Sequence, residues 1–285
     1  MKCADINIRD PFVLYEDGTY YMYGTRAIHF GAGTGGFDVY TSTDLENWSE
    51  PHECFNSVEH GLNLQVNWAP EVHKYKGAYY MFATFSRGEE GAFLKGTYAL
   101  RSDSPMGPFV PHSKKQLTPN EWEALDGTLH VDEDGKPYLV FCHEHMQILD
   151  GTICSVPLSD DLTEAVGEPI VLFAASECEF ADPWRPGRWV TDGPFMCRSK
   201  NGDLFMLWSS FIKGKYAELL VKFNGKALGT DLVHLPPLVD NDGGHGMIFS
   251  DGEKSYLTYH TPNKKGAEHP FFVEIEIGED SIRKK

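Results

Sequence analysis

Three aspartates open three similar stretches of the chain: Asp10 in Asp10-Pro11-Phe12-Val13, Asp126 in Asp126-Gly127-Thr128-Leu129, and Asp192 in Asp192-Gly193-Pro194-Phe195. A carboxylate at the head of an apolar strand is poorly placed in a packed interior unless it is paired, hydrogen-bonded or facing a cavity. Asp before Gly or Pro also initiates turns, but three of them in repeated sequence point to one shared site. Carboxyl groups gathered without a cation raise one another's pKa, so that one stays protonated beside another that is ionised. Cleavage of a glycosidic bond needs that pairing, an acid to protonate the leaving oxygen and a base to activate water. Clustered acids also bind calcium, although these three come from separate stretches rather than one ligand-rich loop.

The elements that must position them form a fivefold repeat, spanning Asp10 to Thr25, Trp68 to Thr84, Leu125 to Cys142, Thr191 to Ser210 and Gly243 to His260. Each copy runs from an apolar stretch through a Gly turn, at Gly18, Gly77, Gly135, Gly202 and Gly252, into a strand rich in aromatic and β-branched residues such as Tyr20-Tyr21-Met22-Tyr23. Gly accepts positive φ without a Cβ clash, so each copy reads as a β-hairpin. The turn glycines lie 59, 58, 67 and 50 residues apart, room each time for four short strands. Weaker echoes at Val39 to Leu45, Tyr98 to Asp103 and Ile153 to Leu162 supply third strands leading to outer ones. A β-sandwich also shows short strands and turns, but not five like hairpins at a long period, so the pattern predicts an all-β, five-bladed β-propeller. Residues 1–285 are expected to form a single domain. In such a ring the starts of the inner strands converge on one end of the channel, so Asp10, Asp126, Asp192 and His245 are expected around one pocket, with Ala69 at the corresponding place in the second copy.

A formal charge of −17 argues against nucleic acid and anionic membrane surfaces as partners. The start, Met1-Lys2-Cys3-Ala4-Asp5, lacks the pattern of a secretory signal, so a cytoplasmic location is expected. The six cysteines are scattered without a C-x-x-C pair and read as free buried thiols. Around the pocket, Trp68 and Phe12 offer apolar faces for a sugar ring, Trp68 the better placed at a strand opening. Glu144 and Gln147, after the unusual His143-Glu144-His145, are expected to line the pocket from the third blade. Arg26 and His29 flank a Gly-rich stretch, Gly31 to Gly36, placed to lie over it.

The openings Arg9-Asp10-Pro11-Phe12, Trp68-Ala69-Pro70-Glu71-Val72, Leu125-Asp126-Gly127-Thr128, Thr191-Asp192-Gly193-Pro194-Phe195, and Gly244-His245-Gly246 followed by Tyr259-His260, together resemble glycoside hydrolase family 43, from about residue 6 to about residue 275. The resemblance implies a five-bladed propeller that cleaves α-L-arabinofuranosides or β-D-xylosides with inversion; exo action on short arabinose- or xylose-containing oligosaccharides is expected, which a cytoplasmic location would suit because polymers cannot enter. It implies Asp10 as general base, Asp192 as general acid and Asp126 as the carboxylate that tunes and orients the acid. It also implies that His245 faces the channel and supports a structural calcium ion through water, with no cofactor needed for the chemistry. One departure stands out: the family's acid is usually Glu before Gly-Pro, and Asp192 is one methylene shorter. Three readings follow: a working Asp acid, another acid such as Glu144 or Glu71, or a weakened hydrolase. A noncatalytic carbohydrate-binding propeller is the reading from a different class. Phosphorolysis, known in a related propeller lineage, would want a basic phosphate site that the acidic cluster does not offer.

Overall fold

A computed structural model of the chain describes residues 1–27, 35–60, 66–86 and 94–285. It contains five four-stranded antiparallel sheets, each built from consecutive strands in the order first to fourth. The first blade holds β1 (Ile8–Glu16), β2 (Thr19–Arg26), β3 (Gly36–Ser42) and β4 (His52–Asn56), and the second β5 (Asn67–Tyr75), β6 (Ala78–Ser86), β7 (Lys95–Ser102) and β8 (Val110–Pro111). The third holds β9 (Ala124–Val131), β10 (Pro137–His143), the short helix α1 (His145–Ile148), β11 (Thr152–Pro157) and β12 (Ile170–Ala174). The fourth is β13 (Asp192–Arg198), β14 (Leu204–Ile212), β15 (Lys215–Phe223) and β16 (Leu232–Val239), and the fifth β17 (Gly244–Ser250), β18 (Ser255–Thr261), β19 (His269–Ile277) and β20 (Ile282–Lys284). The expected five-bladed propeller is therefore observed.

The five turn glycines of the repeat all adopt positive φ, between 78° and 93°, which fixes the hairpins joining the first two strands of each blade. Second strands are covered on both faces by neighbouring blades, so they lose the in/out alternation of a half-exposed strand; every residue of β6 is buried. Each inner strand packs against the next around the ring, and β1 meets β17 to close it. Among the described residues no strand is shared across that closure. Instead Arg9 Nη1 meets Glu268 Oε1 at 2.8 Å, Asn7 Nδ2 donates to the Glu268 carbonyl at 2.8 Å, and Tyr20 donates to Asp251 at 3.0 Å.

All five inner strands carry the same irregularity near their start. Register slips between Arg9 and Phe12, Trp68 and Glu71, Asp192 and Phe195, and Gly244 and Met247, and opposite Val140 and Cys142 for β9. At each slip two residues face one on the partner, which is a β-bulge. The leading residue of each bulge lies in the left-handed region: Asp10 (φ 55°), Ala69 (46°), Asp126 (56°), Gly193 (46°) and His245 (52°). Left-handed backbone is costly for a residue with a Cβ. Hydrogen bonds between blades hold it in place: Ala69 N donates to Thr25 Oγ1 (2.7 Å), Asp126 N to Thr84 Oγ1 (2.8 Å), His245 N to Ser209 Oγ (2.7 Å) and Asp10 N to His260 Nδ1 (3.2 Å). Each acceptor stands on the second strand of the preceding blade, opposite the residue just before that blade's own bulge.

Candidate active site

The bulges turn their leading side chains toward the propeller axis, and a pocket opens there, lined by Arg9, Asp10, Trp68, Lys95, Leu125, Asp126, Glu144, His145, Val190, Thr191, Asp192 and His245. The three aspartates of the repeat are thus brought together, but not from equivalent positions. Asp10, Ala69, Asp126 and His245 lead their bulges, whereas the leading residue of the fourth blade is Gly193 and Asp192 precedes it, the counterpart of Arg9, Trp68, Leu125 and Gly244. The reason lies in the neighbour: a Cβ on Gly193 would fall 2.6 Å from Cδ2 of His245. The His245 ring fills the space that a fourth-blade side chain would need, so the carboxylate enters one residue earlier.

His245 stands at the centre of the cluster. Its Nδ1 lies 3.1 Å from Asp10 Oδ1, 3.6 Å from Asp192 Oδ1 and 3.9 Å from Asp126 Oδ2. Burial pushes the Asp10 carboxyl up, but His245, Arg9, His260 and the Thr25 hydroxyl, which donates to Oδ2 at 2.6 Å, outweigh it and hold Asp10 below its ordinary value. Asp126 and Asp192 face each other closely enough for a carboxyl–carboxylate bond and titrate as a pair. Asp126 is raised well above the carboxylate range by burial, by that bond and by the charges of Asp192 and Asp10. On Asp192, burial is overcome by the bond from Asp126, by His245 and by Tyr216, whose hydroxyl donates to Oδ2 at 2.5 Å, and its value falls to about 2. Of the pair, Asp126 is the one whose protonated form the surroundings favour. Burial, with Arg9 nearby, drops His260 to about 3, which leaves a neutral ring stacked on Tyr216 and accepting the Asp10 N–H.

The other expected residues divide. Trp68 and Glu144 line the pocket. Phe12 does not: it sits in the core against His73 and Phe195, because the two-residue bulge shifts the alternation of β1 and turns its ring away from the axis. Gln147 does not either; its amide accepts from Glu123 N–H and donates to the Glu121 carbonyl, bracing the loop ahead of β9. Glu71 pairs with His73 at 3.0 Å and is not part of the lining. Arg26 is held by Asp38 and Glu53 on the first blade, and His29 lies outside the described residues. Residues that the repeat did not single out complete the site. Arg9 and His260 lay within quoted motifs without an assigned role, while Tyr216 begins a third strand and Lys95 opens β7, where no motif marks them.

Asp126, Asp192 and His245 each offer a ligand atom, all within 4.8 Å of one another, a group able to hold a metal ion. For calcium, with its six to eight oxygen donors, two carboxylates and a ring nitrogen are a partial set that water would have to complete.

The profile of glycosyl hydrolases family 43 matches residues 5–280. Among solved structures, the endo-arabinase of Bacteroides thetaiotaomicron superposes with a TM-score of 0.87 at 36% identity, covering 99% of this chain and 98% of that one. Among curated proteins, an extracellular exo-α-(1→5)-L-arabinofuranosidase of Cellvibrio japonicus is 22% identical over 222 residues, 72% of this chain and 59% of that protein. An extracellular endo-α-(1→5)-L-arabinanase of Bacillus subtilis is 26% identical over 144 residues, 47% of this chain and 42% of that protein. The chain spans about half the length of these curated relatives. Both are named extracellular, which overturns the expectation of a cytoplasmic protein. Four of the six free thiols are buried, where they pack as small hydrophobes in any compartment.

Proposed function

This chain belongs to glycosyl hydrolases family 43, and from that premise we propose that residues 1–285 act as one catalytic domain that hydrolyses arabinose- or xylose-containing oligosaccharides with inversion. Arabinose is the favoured sugar, since the solved relative matching nearly end to end is an endo-arabinase and both curated relatives act on α-(1→5)-linked arabinose. The observation that carries the reading is the gathering of three carboxylates around His245 Nδ1, at 3.1, 3.6 and 3.9 Å, with Asp10 held below its ordinary value and Asp126 raised above it.

Asp10 is the base. His245, Arg9 and Thr25 keep it ionised, so it takes a proton from the water that attacks the anomeric carbon. Asp192, with its side chain 23% exposed to the pocket against 5% for Asp126, is the group that reaches the glycosidic oxygen. Asp126 stores the proton in the resting enzyme and passes it along their hydrogen bond as the leaving oxygen gathers charge. This accounts for a partner carboxyl so close to the acid. His245 Nδ1 lies 3.1 Å from one Asp10 oxygen and 3.6 Å from one Asp192 oxygen, so the two oxygens are no further apart than those distances laid end to end. That upper bound reaches only the near edge of the ~6.5–9.5 Å found in inverting enzymes and also spans the ~5–5.5 Å of retaining ones, so inversion here rests on the family resemblance. A short Asp acid therefore suits a site drawn in around one imidazole, provided that the sugar sits correspondingly deep. A largely hydrated calcium ion held through water beside His245 would add positive charge near the carboxylates; the proton transfers belong to the protein's own groups.

Release of sugar from arabino- and xylo-oligosaccharides by wild type and Asp10→Asn tests the reading, with the anomer first formed followed by NMR. Inverted product from wild type and loss of at least ~100-fold in the variant are expected. Equal, negligible rates for both proteins across the panel would leave only a carbohydrate-binding propeller.

A further inference from the structure

One wall of the pocket holds a second set of charged groups that the proton transfers do not use. Lys95, at the start of β7, reaches Glu144 Oε2 at 3.2 Å and Glu123 Oε2 at 3.4 Å, and its ammonium stands 5.6 Å from the centre of the Trp68 ring. Glu144 is 7% exposed and its backbone N–H is fixed by the Glu123 carbonyl at 2.8 Å. His145, 9% exposed, lies against the other Glu144 oxygen, and its Nε2 is buried with no hydrogen-bond partner. Its backbone carbonyl is tied down by Arg188 at 3.0 Å, and its ring meets the edge or face of Trp184 at 5.5 Å. Lys95, Glu144, His145 and Trp68 all line the same pocket as the carboxylate cluster.

Burying an ion pair seldom adds net stability, because desolvation offsets the attraction, and an unpaired ring nitrogen beside it adds cost. A pocket wall with those costs is suited to an incoming ligand that completes its hydrogen bonds. An ammonium offers three donors and Lys95 has two carboxylate neighbours; a carboxylate has about four acceptor sites, and Glu144 spends two of them on Lys95 and His145. What would satisfy the remainder is a group that accepts from one atom and donates from its neighbour. Adjacent hydroxyls on a sugar ring do this: one oxygen accepts from the ammonium while the next hydroxyl donates to the carboxylate.

We propose that Lys95, Glu144 and His145 form a hydroxyl-reading subsite that grips two neighbouring hydroxyls of the sugar bound beside Trp68 and so sets which sugar is accepted. The proposal rests on the glycosidase reading for its ligand class and assigns these residues to specificity, apart from proton transfer. A site built to bond a substrate hydroxyl discriminates strongly against an analogue lacking it, because its buried polar groups are then left unpaired.

The test uses Lys95→Gln and Glu144→Gln, with Lys95→Arg as the variant that keeps the charge, all checked for folding by thermal melts. Activity is measured on aryl arabinofuranosides carrying every hydroxyl and on analogues each lacking one. The expected result is a loss of kcat/KM of ~10–100-fold on the full sugar, shrinking to a few-fold on the analogue that lacks a hydroxyl of the gripped pair, with the pH profile unmoved and Lys95→Arg partly restored. Equal losses on every analogue, or none, overturn the subsite. Calorimetric titration with an arabino-oligosaccharide in an Asp10→Asn background separates this outcome from failure of the hydrolase reading. Binding that wild-type lining supports and Lys95→Gln abolishes upholds the subsite even if no hydrolysis is found. Unchanged binding overturns it even if hydrolysis is robust, and a protein that binds no pentose oligosaccharide overturns both.

Discussion

On the proposed mechanism, replacing Asp126 by Asn removes the proton store while leaving the shape of the site and a hydrogen-bond donor facing Asp192. The consequence can be sized. Asp192, held below its ordinary value by Asp126, His245 and Tyr216, is ionised in nearly every molecule at pH 6, leaving only a small protonated fraction. An amide cannot give up its proton to the leaving oxygen, so Asp192 in Asp126→Asn loses its local supply and works from that small fraction. General acid catalysis contributes roughly 10²–10⁴-fold, and the expected loss in kcat is within that span for substrates whose leaving group needs protonation, such as an arabino-oligosaccharide or an alkyl arabinofuranoside. A dinitrophenyl arabinofuranoside leaves without help and should lose less than about tenfold. Steady-state kinetics on both substrate types, with melting curves to confirm folding, decide the matter. Equal losses on good and poor leaving groups would refute the proton-store role, since they would mean that Asn had damaged binding or the base. Full activity on the oligosaccharide would refute it as well.

Gly193→Ala places a Cβ 2.6 Å from the His245 ring at a φ of 46°, whereas Gly18→Ala has the left-handed backbone without a nearby atom. The first should therefore melt lower than the second by an amount that reflects ~1–3 kcal/mol of overpacking, and it alone should lose activity; matching melts would mean that His245 moves aside freely. Glu218, fully buried, is pushed up to about 8 by burial despite bonds from Ser209 and the Gly246 N–H. The folded protein thus keeps a proton that the unfolded chain releases near its ordinary value of 4.5, so stability contributed by this group is intact at low pH and falls as pH rises from there to about 8, at up to roughly 1.4 kcal/mol per pH unit. Glu218→Gln should flatten that part of the curve of melting temperature against pH, and parallel curves for the two proteins would contradict the assignment.

Much of the architecture was legible because propeller blades repeat their local chemistry. Gly at each hairpin turn and aromatic second strands announced five like units, and their period excluded a sandwich. Asp10, Asp126, His245, Trp68 and Glu144 were legible as pocket residues for the same reason. Phe12 was misplaced because a bulge shifts side-chain alternation, and no residue pattern marks where two residues will face one. The same shift hid that Asp192 stands one place before its apparent equivalents. Gln147 was misplaced because side chains in the turn after β10 are aimed by the helix α1 rather than by strand alternation. Tyr216 and Lys95 were silent because they belong to third strands, whose sequence varies between blades, and act only through contacts across them.

The belt of hydrogen bonds between blades has one position unlike the rest. Where Thr25, Thr84, Ser209 and His260 each receive a backbone N–H from the following bulge, the third blade presents Cys142, a poor acceptor, and Gly193 N turns instead to Asp126 Oδ2 at 3.5 Å. This is the longest contact in the belt, and it lies between Asp126 and Asp192. The amide that elsewhere goes to a hydroxyl or a ring nitrogen here bears on a carboxyl of the pocket, where it favours the ionised form of Asp126 against the burial that raises it. The frame that holds the blades in register thus reaches directly into the charge balance of the cluster.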